Sequence, residues 1–195
     1  QLGLDYDELI EIGGSGANDA NPIIRVVGPE DYIPENSPEY KVIPLHENTK
    51  LVYGFAGLSL NKNEKPKSSV IIARSELRER ALHDLQAFRV LDSTMWPRVP
   101  EGSIVFIDLE DRRFVDGKIY LVCNPSSESP TATIKCVRKL TQGQSQGFVL
   151  ISENQKYLPE MTDMDWNDLV VGRAVWIWRN LEGAQPEVQY QQEKK

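Results

Sequence analysis

From Tyr40 onward the apolar residues come in short β-branched and aromatic runs, each closed by turn residues. Lys41–Leu45 (KVIPL) and Lys50–Leu60 (KLVYGFAGLSL) open the series. Ala87–Leu91, Ser103–Leu109, Lys118–Asn124, Ala132–Leu140, Gly147–Ser152 and Val170–Trp178 continue it. Pro100-Glu101-Gly102, Asp116-Gly117, Asn124-Pro125, Gly143 and Gly147 punctuate the runs. Gly and Pro supply the backbone angles that turns need, so this spacing predicts strands joined by tight connections. One stretch breaks the rhythm. In Arg74–Leu85 (RSELRERALHDL), Leu77, Ala81, Leu82 and Leu85 recur at helical spacing, which predicts the main helix. Many short strands with one helix indicate a mainly β domain over residues 40–182. The polar segment 183–195 is expected to be a frayed tail.

The segment before Tyr40 differs. Gln1–Ile12 (QLGLDYDELIEI) places leucines among acids and runs into Gly13-Gly14, so residues 1–14 are expected to be a short helix with its stop. Residues 15–39 are rich in Gly, Asn, Asp and Pro and read as a linker or arm, with one apolar cluster at Ile23–Val27 suited to a docked strand.

Composition narrows the function. The 195 residues are 40% hydrophobic, enough for one sizeable core. The net charge of −7 repels phosphates, so these residues make a poor nucleic-acid surface. No apolar run approaches the roughly 20 residues of a membrane span, and the acidic start has no signal-peptide character. Cys123 and Cys136 lie in apolar runs at no metal spacing, and two cysteines make no disulfide framework. The expected compartment is the reducing cytoplasm. His46 and His83 lack ligand partners at metal spacing, and Gly13-Gly14-Ser15-Gly16 follows no strand, so neither a metal nor a cofactor is expected. A start at Gln rather than Met suggests a fragment or processed product.

The chemistry concentrates in two places. Phe88–Asp108 (FRVLDSTMWPRVPEGSIVFID) carries an exposed turn, Asp92–Pro97, between two apolar strands. Ala132–Leu140 (ATIKCVRKL) carries Lys135 between Ile134 and Cys136. Alternation puts Thr133, Lys135 and Val137 on one face of that strand. A buried ammonium is costly unless it pairs or gives up its proton, and a neutral lysine can activate a hydroxyl. Taken alone, Lys135 also suits an edge strand as a solubilising charge.

The order of these pieces resembles the LexA/lambda-repressor family of self-cleaving peptidases. The resemblance rests on Asp92-Ser93-Thr94-Met95-Trp96-Pro97, Gly102-Ser103 before IVFID, and Asp116-Gly117 before KIYLV. It continues through Lys135 in TIKCVRKL, Ser152–Pro159 (SENQKYLP) and Gly172-Arg173-Ala174-Val175-Trp176. It spans about Tyr40 to Leu181 and implies a LexA/signal-peptidase-like β domain. It further implies a hydroxyl–lysine dyad of Thr94 and Lys135 that cuts the chain's own Ala56–Gly57 bond. The family's nucleophile is serine, and here Thr94 stands in its slot. The extra methyl is stiff about χ1 and crowds the attack geometry, where small displacements cost orders of magnitude in rate. Two readings follow: a repressor's dimerisation and regulatory domain with a degenerate or slow site, or an active self-cleaving repressor. A general interaction module unrelated to DNA is a third. The first segment, LGLDYDELIEIGG, is similar to the end of a phage-repressor helix-turn-helix domain, so operator DNA would be bound through an N-terminal domain outside this chain. The implied partner is a second copy, as a homodimer or higher even oligomer paired through Val170–Trp178. No membrane partner is expected.

Overall fold

The apolar runs assemble into one large sheet in which most of the chemistry-bearing segments meet. The computed structural model describes residues 10–13, 24–28, 39–47, 51–54, 57–60, 66, 68–77, 84–123, 131–142 and 145–179. The strands are β1 (Ile10–Gly13), β2 (Ile24–Val27), β3 (Tyr40–His46), β4 (Leu51–Gly54), β5 (Gly57–Leu60) and β6 (Ser68–Ala73). They continue with β7 (Leu85–Arg89), β8 (Ile104–Asp108), β9 (Lys118–Cys123), β10 (Ala132–Gln142) and β11 (Ser145–Ile151). β12 (Glu160–Thr162), helix α1 (Trp166–Leu169) and β13 (Val170–Arg179) complete the order. Among the described residues the sheet has eleven strands in the order β12-β11-β10-β9-β13-β8-β7-β3-β6-β2, with β1 added alongside β13. β4 and β5 form a separate hairpin. The mainly β expectation therefore holds.

Two helices expected from the sequence are not formed as read. Arg74–Leu77 is a single 3₁₀ turn, and Leu85 already belongs to β7, paired with Asp108 of β8. Residues 78–83 lie outside the described residues. Leu85 and Ala87 are buried around the exposed-side Gln86, so pairing with β8 outweighs the helical spacing of the leucines. At the N-terminus, Ile10–Gly13 is a strand and not the end of a helix. It pairs in parallel with β13, Ile10 opposite Trp176 and Ile12 opposite Trp178. β9 pairs with β13 only as far as Arg173, which leaves the later part of that strand's edge for β1. Residues 1–9 lie outside the described residues. The apolar cluster in the linker does form a strand, β2, docked on β6.

The sheet is buried on both faces over much of its area, so its central strands are apolar throughout. In β8, Val105 and Ile107 face one cluster with Met95, Leu121 and Ile134. Ile104 and Phe106 face another with Ile43, Leu45 and Trp176. A third cluster joins Tyr120, Val122, Val137, Leu150, Leu169 and Val170. β13 runs through the middle, and Val170–Ile177 is almost wholly buried within its own chain. The pairing surface expected there is thus occupied by the protein's own core.

Two glycines are set by geometry. Gly117 (φ 75°) makes the left-handed turn into β9. At Gly172 a Cβ would lie 2.5 Å from the Asp108 carbonyl oxygen, where β13 passes beside β8 next to the Arg173–Asp108 pair.

Candidate functional site

Lys135 sits in the middle of β10, opposite Tyr120 on β9, and is only 5% exposed. Its position follows from alternation. Ile134 and Cys136 fill the first cluster, Val137 fills the third, and Lys135 leaves the sheet on the face of Val137. Cys136 is opposite Ile151 of β11, so Ser152, the next residue, stands beside Lys135. The ammonium donates to Ser152 Oγ at 2.8 Å. It also forms an ion pair with Glu160 Oε1 at 3.4 Å, reaching across β11 to the edge strand β12. Two residues, one just after β11 and one on β12, therefore satisfy this one buried side chain of β10.

Thr94 occupies the turn between β7 and β8. Its Oγ1 donates to Asp92 Oδ1 at 2.6 Å, and its backbone N–H donates to the same oxygen at 2.9 Å. This Asx-type arrangement is what an aspartate two residues before a turn residue favours. The following residues anchor the turn: Met95 is buried in the first cluster, and Val99 N–H bonds back to the Met95 carbonyl. The Trp96–Pro97 peptide is cis. Thr94 lines a cleft of about 470 Å³ with His46, Phe88, Val90, Leu121 and Ile134. Leu121 and Ile134 leave the sheet on the face opposite to Lys135.

The segment after β11 ties these two parts together. Ser152 holds Lys135, as above. Asn154 N–H donates to the Thr94 carbonyl at 2.9 Å, and Asn154 Nδ2 donates to the Ser93 carbonyl at 2.9 Å. Tyr157 OH lies 3.2 Å from Ser93 Oγ, and Glu153 pairs with Arg98 at 3.0 Å. The turn bearing Thr94 and the strand bearing Lys135 are thus joined through one short segment. Among the described residues, however, no hydrogen bond joins Thr94 to Lys135: each engages a different partner. Gly57 opens β5, which runs against α1 and β13. Ala56 lies outside the described residues.

Sequence reading picked out SENQKYLP as a motif without roles for its members. The structure assigns Ser152 to the lysine, and Asn154 and Tyr157 to the Thr94 turn. Asp92 appears in the turn motif without a role, and Glu160 is not part of the sequence reading. A carboxylate two residues before Thr94 was the available signal for Asp92. Glu160 has no local signal, because its pairing depends on the register of three strands.

Further from the site, Arg173 on β13 pairs with Asp111. Tyr120 donates to the Arg113 carbonyl and accepts from Val115 N–H, both at 2.8 Å. Burial, opposed by that bond from Val115, pushes its hydroxyl above the ordinary tyrosine range. Burial likewise pushes the Cys136 thiol up, with Glu153 adding to the effect. Its S–H donates to the Gly117 carbonyl at 3.2 Å. His46 stacks on Phe88 and contacts Gln86. Among the described residues no group of His, Cys, Asp and Glu is arranged to hold a metal ion. No described helix is long and apolar enough to cross a membrane.

Among the described residues Lys135 is the buried lysine of a mainly β domain, and one short segment ties its strand to the Thr94 turn. The family model described as Peptidase S24-like, that of LexA and phage-repressor C-terminal domains, matches residues 55–175, and the chain belongs to this family. A comparison with curated proteins returned no match.

Proposed function

We propose that the chain is the C-terminal dimerisation and regulatory domain of a helix-turn-helix transcriptional repressor of phage or prophage type, with an impaired self-cleavage site. Membership of the Peptidase S24-like family supports the coarse part of this reading. The observation that carries the finer part is the division of partners at the site. The Thr94 hydroxyl is hydrogen-bonded to Asp92, and the Lys135 ammonium to Ser152 with Glu160 as counter-charge.

Cutting the Ala56–Gly57 bond would need Thr94 Oγ1 to pass its proton to a neutral Lys135 and attack the Ala56 carbonyl carbon. Gly57 would leave as an amine carrying that proton, and water would hydrolyse the resulting ester. A lysine that accepts a proton must first be free of one. With Lys135 bonded to Ser152 and paired with Glu160, and threonine in the nucleophile's place, both halves of the step are handicapped. The acidic charge of −7 fits a domain that leaves operator DNA to a separate N-terminal domain. A homodimer matches the two-fold symmetry of the operators such repressors read. Since β13 is interior, its pairing contacts would come from exposed apolar residues such as Leu158 and Met161, 83% and 73% exposed.

The test is mass analysis of the chain after incubation at alkaline pH. Wild type stays intact, Thr94→Ser yields fragments ending at Ala56 and beginning at Gly57, and adding Lys135→Ala abolishes them. Cleavage of wild type as fast as Thr94→Ser would favour the active self-cleaving repressor. Fragments that persist in the double variant would remove Lys135 from the reaction.

A further inference from the structure

We propose that Glu160 is a positioning residue that latches Lys135 toward the sheet edge, so that the short strand β12 controls whether the lysine is available to the Thr94 turn. This rests on the reading of Lys135 as the site's base.

The argument starts from Lys135's surroundings. The side chain is 5% exposed and shares its face with Tyr120, Val137 and Leu150, each fully buried. In such surroundings an ammonium needs a counter-charge. Among the described residues, Glu160 is the carboxylate that pairs with it. Glu153, on the same segment, is already paired with Arg98. Ser152 accepts a hydrogen bond but brings no charge, so it can orient the ammonium without neutralising it.

The latch is carried by a slight element. β12 has three residues, with Glu160 opposite Leu150, Met161 opposite Val149 and Thr162 opposite Phe148. Among the described residues β12 is the last strand of the sheet on that side, and β11 is its neighbour there. An edge strand held by so few pairs can detach at small cost compared with the central strands. Its exposed Met161 and the preceding Leu158 offer a partner or a second segment something to grip. Release of β12 would take the carboxylate from Lys135 while leaving β9, β10 and the Thr94 turn in place. Thr133, which shares the face of Lys135 on β10, lines the Thr94 cleft, so a released lysine could turn along that face toward it.

The test is acetylation of the full-length chain with an N-hydroxysuccinimide ester, read as peptide mass against time. In wild type Lys135 reacts far more slowly than the exposed Lys156. Removing a counter-charge at ion-pair range is worth about tenfold or more, and Glu160→Gln is expected to speed Lys135 labelling by that order. Glu160→Asp, which keeps the charge, stays near wild type. Thr162→Ala, on the same strand but losing only the acceptor for Met164 N–H, leaves Lys135 slow. Labelling of Lys135 in Glu160→Gln that is as slow as wild type overturns the latch. So does equal acceleration by Thr162→Ala, which would make the effect one of edge loosening alone. A second arm separates the latch from the base assignment. In the Thr94→Ser background, Glu160→Gln should raise the rate of cutting at Ala56–Gly57 at fixed alkaline pH. Faster labelling without faster cutting upholds the latch and overturns Lys135 as base.

Discussion

Lys135 Nζ donates to Ser152 Oγ at 2.8 Å, and no hydrogen bond runs from it to Thr94. The consequence is chemical. The Thr94 hydroxyl and the Lys135 side chain each engage another partner, so on the function proposed above the two would act together only once those partners release them. Ser152 and Asn154 link the two segments, since they lie two residues apart and hold the lysine and the Thr94 turn respectively. Asp92 and Glu160 explain the separation, each satisfying one member of the pair.

Asn154 should matter to the turn before it matters to the fold. Its side chain donates to the Ser93 carbonyl, which also accepts from Trp96 N–H. Asn154→Ala should cost about 0.5–1.5 kcal/mol in urea unfolding. Hydrogen exchange should quicken over Ser93–Trp96 and not over β8. Uniform quickening across both would place Asn154's role in the global fold.

Gly172 is a steric requirement. An alanine Cβ there meets the Asp108 carbonyl oxygen at 2.5 Å and Ile107 Cγ2 at 2.8 Å. Both belong to a central strand that cannot easily give way. Gly172→Ala should lower stability by about 1–3 kcal/mol, measured as a shifted urea midpoint. An unchanged midpoint would show that β8 gives way to the methyl.

Tyr120 gives a pH-dependent signature. Burial raises its hydroxyl above the ordinary value near 10. The unfolded chain therefore loses this proton first as pH rises. The group's contribution to stability is complete below the unfolded value and is lost as pH climbs through the folded one. Tyr120→Phe removes the donor to Arg113 and leaves Val115 N–H without its acceptor. The variant should be about 1–3 kcal/mol less stable than wild type at neutral pH, and the gap should narrow above about pH 10. A gap constant to strongly alkaline pH would contradict the assignment.

Cys136 should resist alkylation. Its thiol is 8% exposed, bonded to the Gly117 carbonyl, and pushed up by burial. The reactive thiolate is therefore scarce at pH 8 in the folded chain. Iodoacetamide labelling followed by mass should be much slower in buffer than in urea. Equal rates would show that β10 opens readily beside Lys135.

Much of the strand layout was legible in the sequence because short alternating runs and turn residues are local signals. Lys118–Asn124 and Ala132–Leu140 fall within a residue or two of β9 and β10. The failures have one cause. Leu85 and Ile10 carry helix-compatible spacing, yet each lies where an open strand edge was available, β8 for Leu85 and β13 for Ile10. Pairing between distant segments outweighed local spacing, and no window of sequence contains it. The site divides in the same way. Thr94 and Lys135 could be named from motif order, and Asp92 was within sight of Thr94. Glu160 could not be found, because its approach to Lys135 depends on the joint registers of β10, β11 and β12.

The most direct measurement is the set of distances around Lys135 Nζ in crystals of the uncleaved chain. The account predicts Ser152 Oγ within about 2.7–3.2 Å, Glu160 at ion-pair range, and the Thr94 hydroxyl on Asp92. Lys135 Nζ bonded directly to Thr94 Oγ1, with Glu160 turned out to solvent, would contradict it.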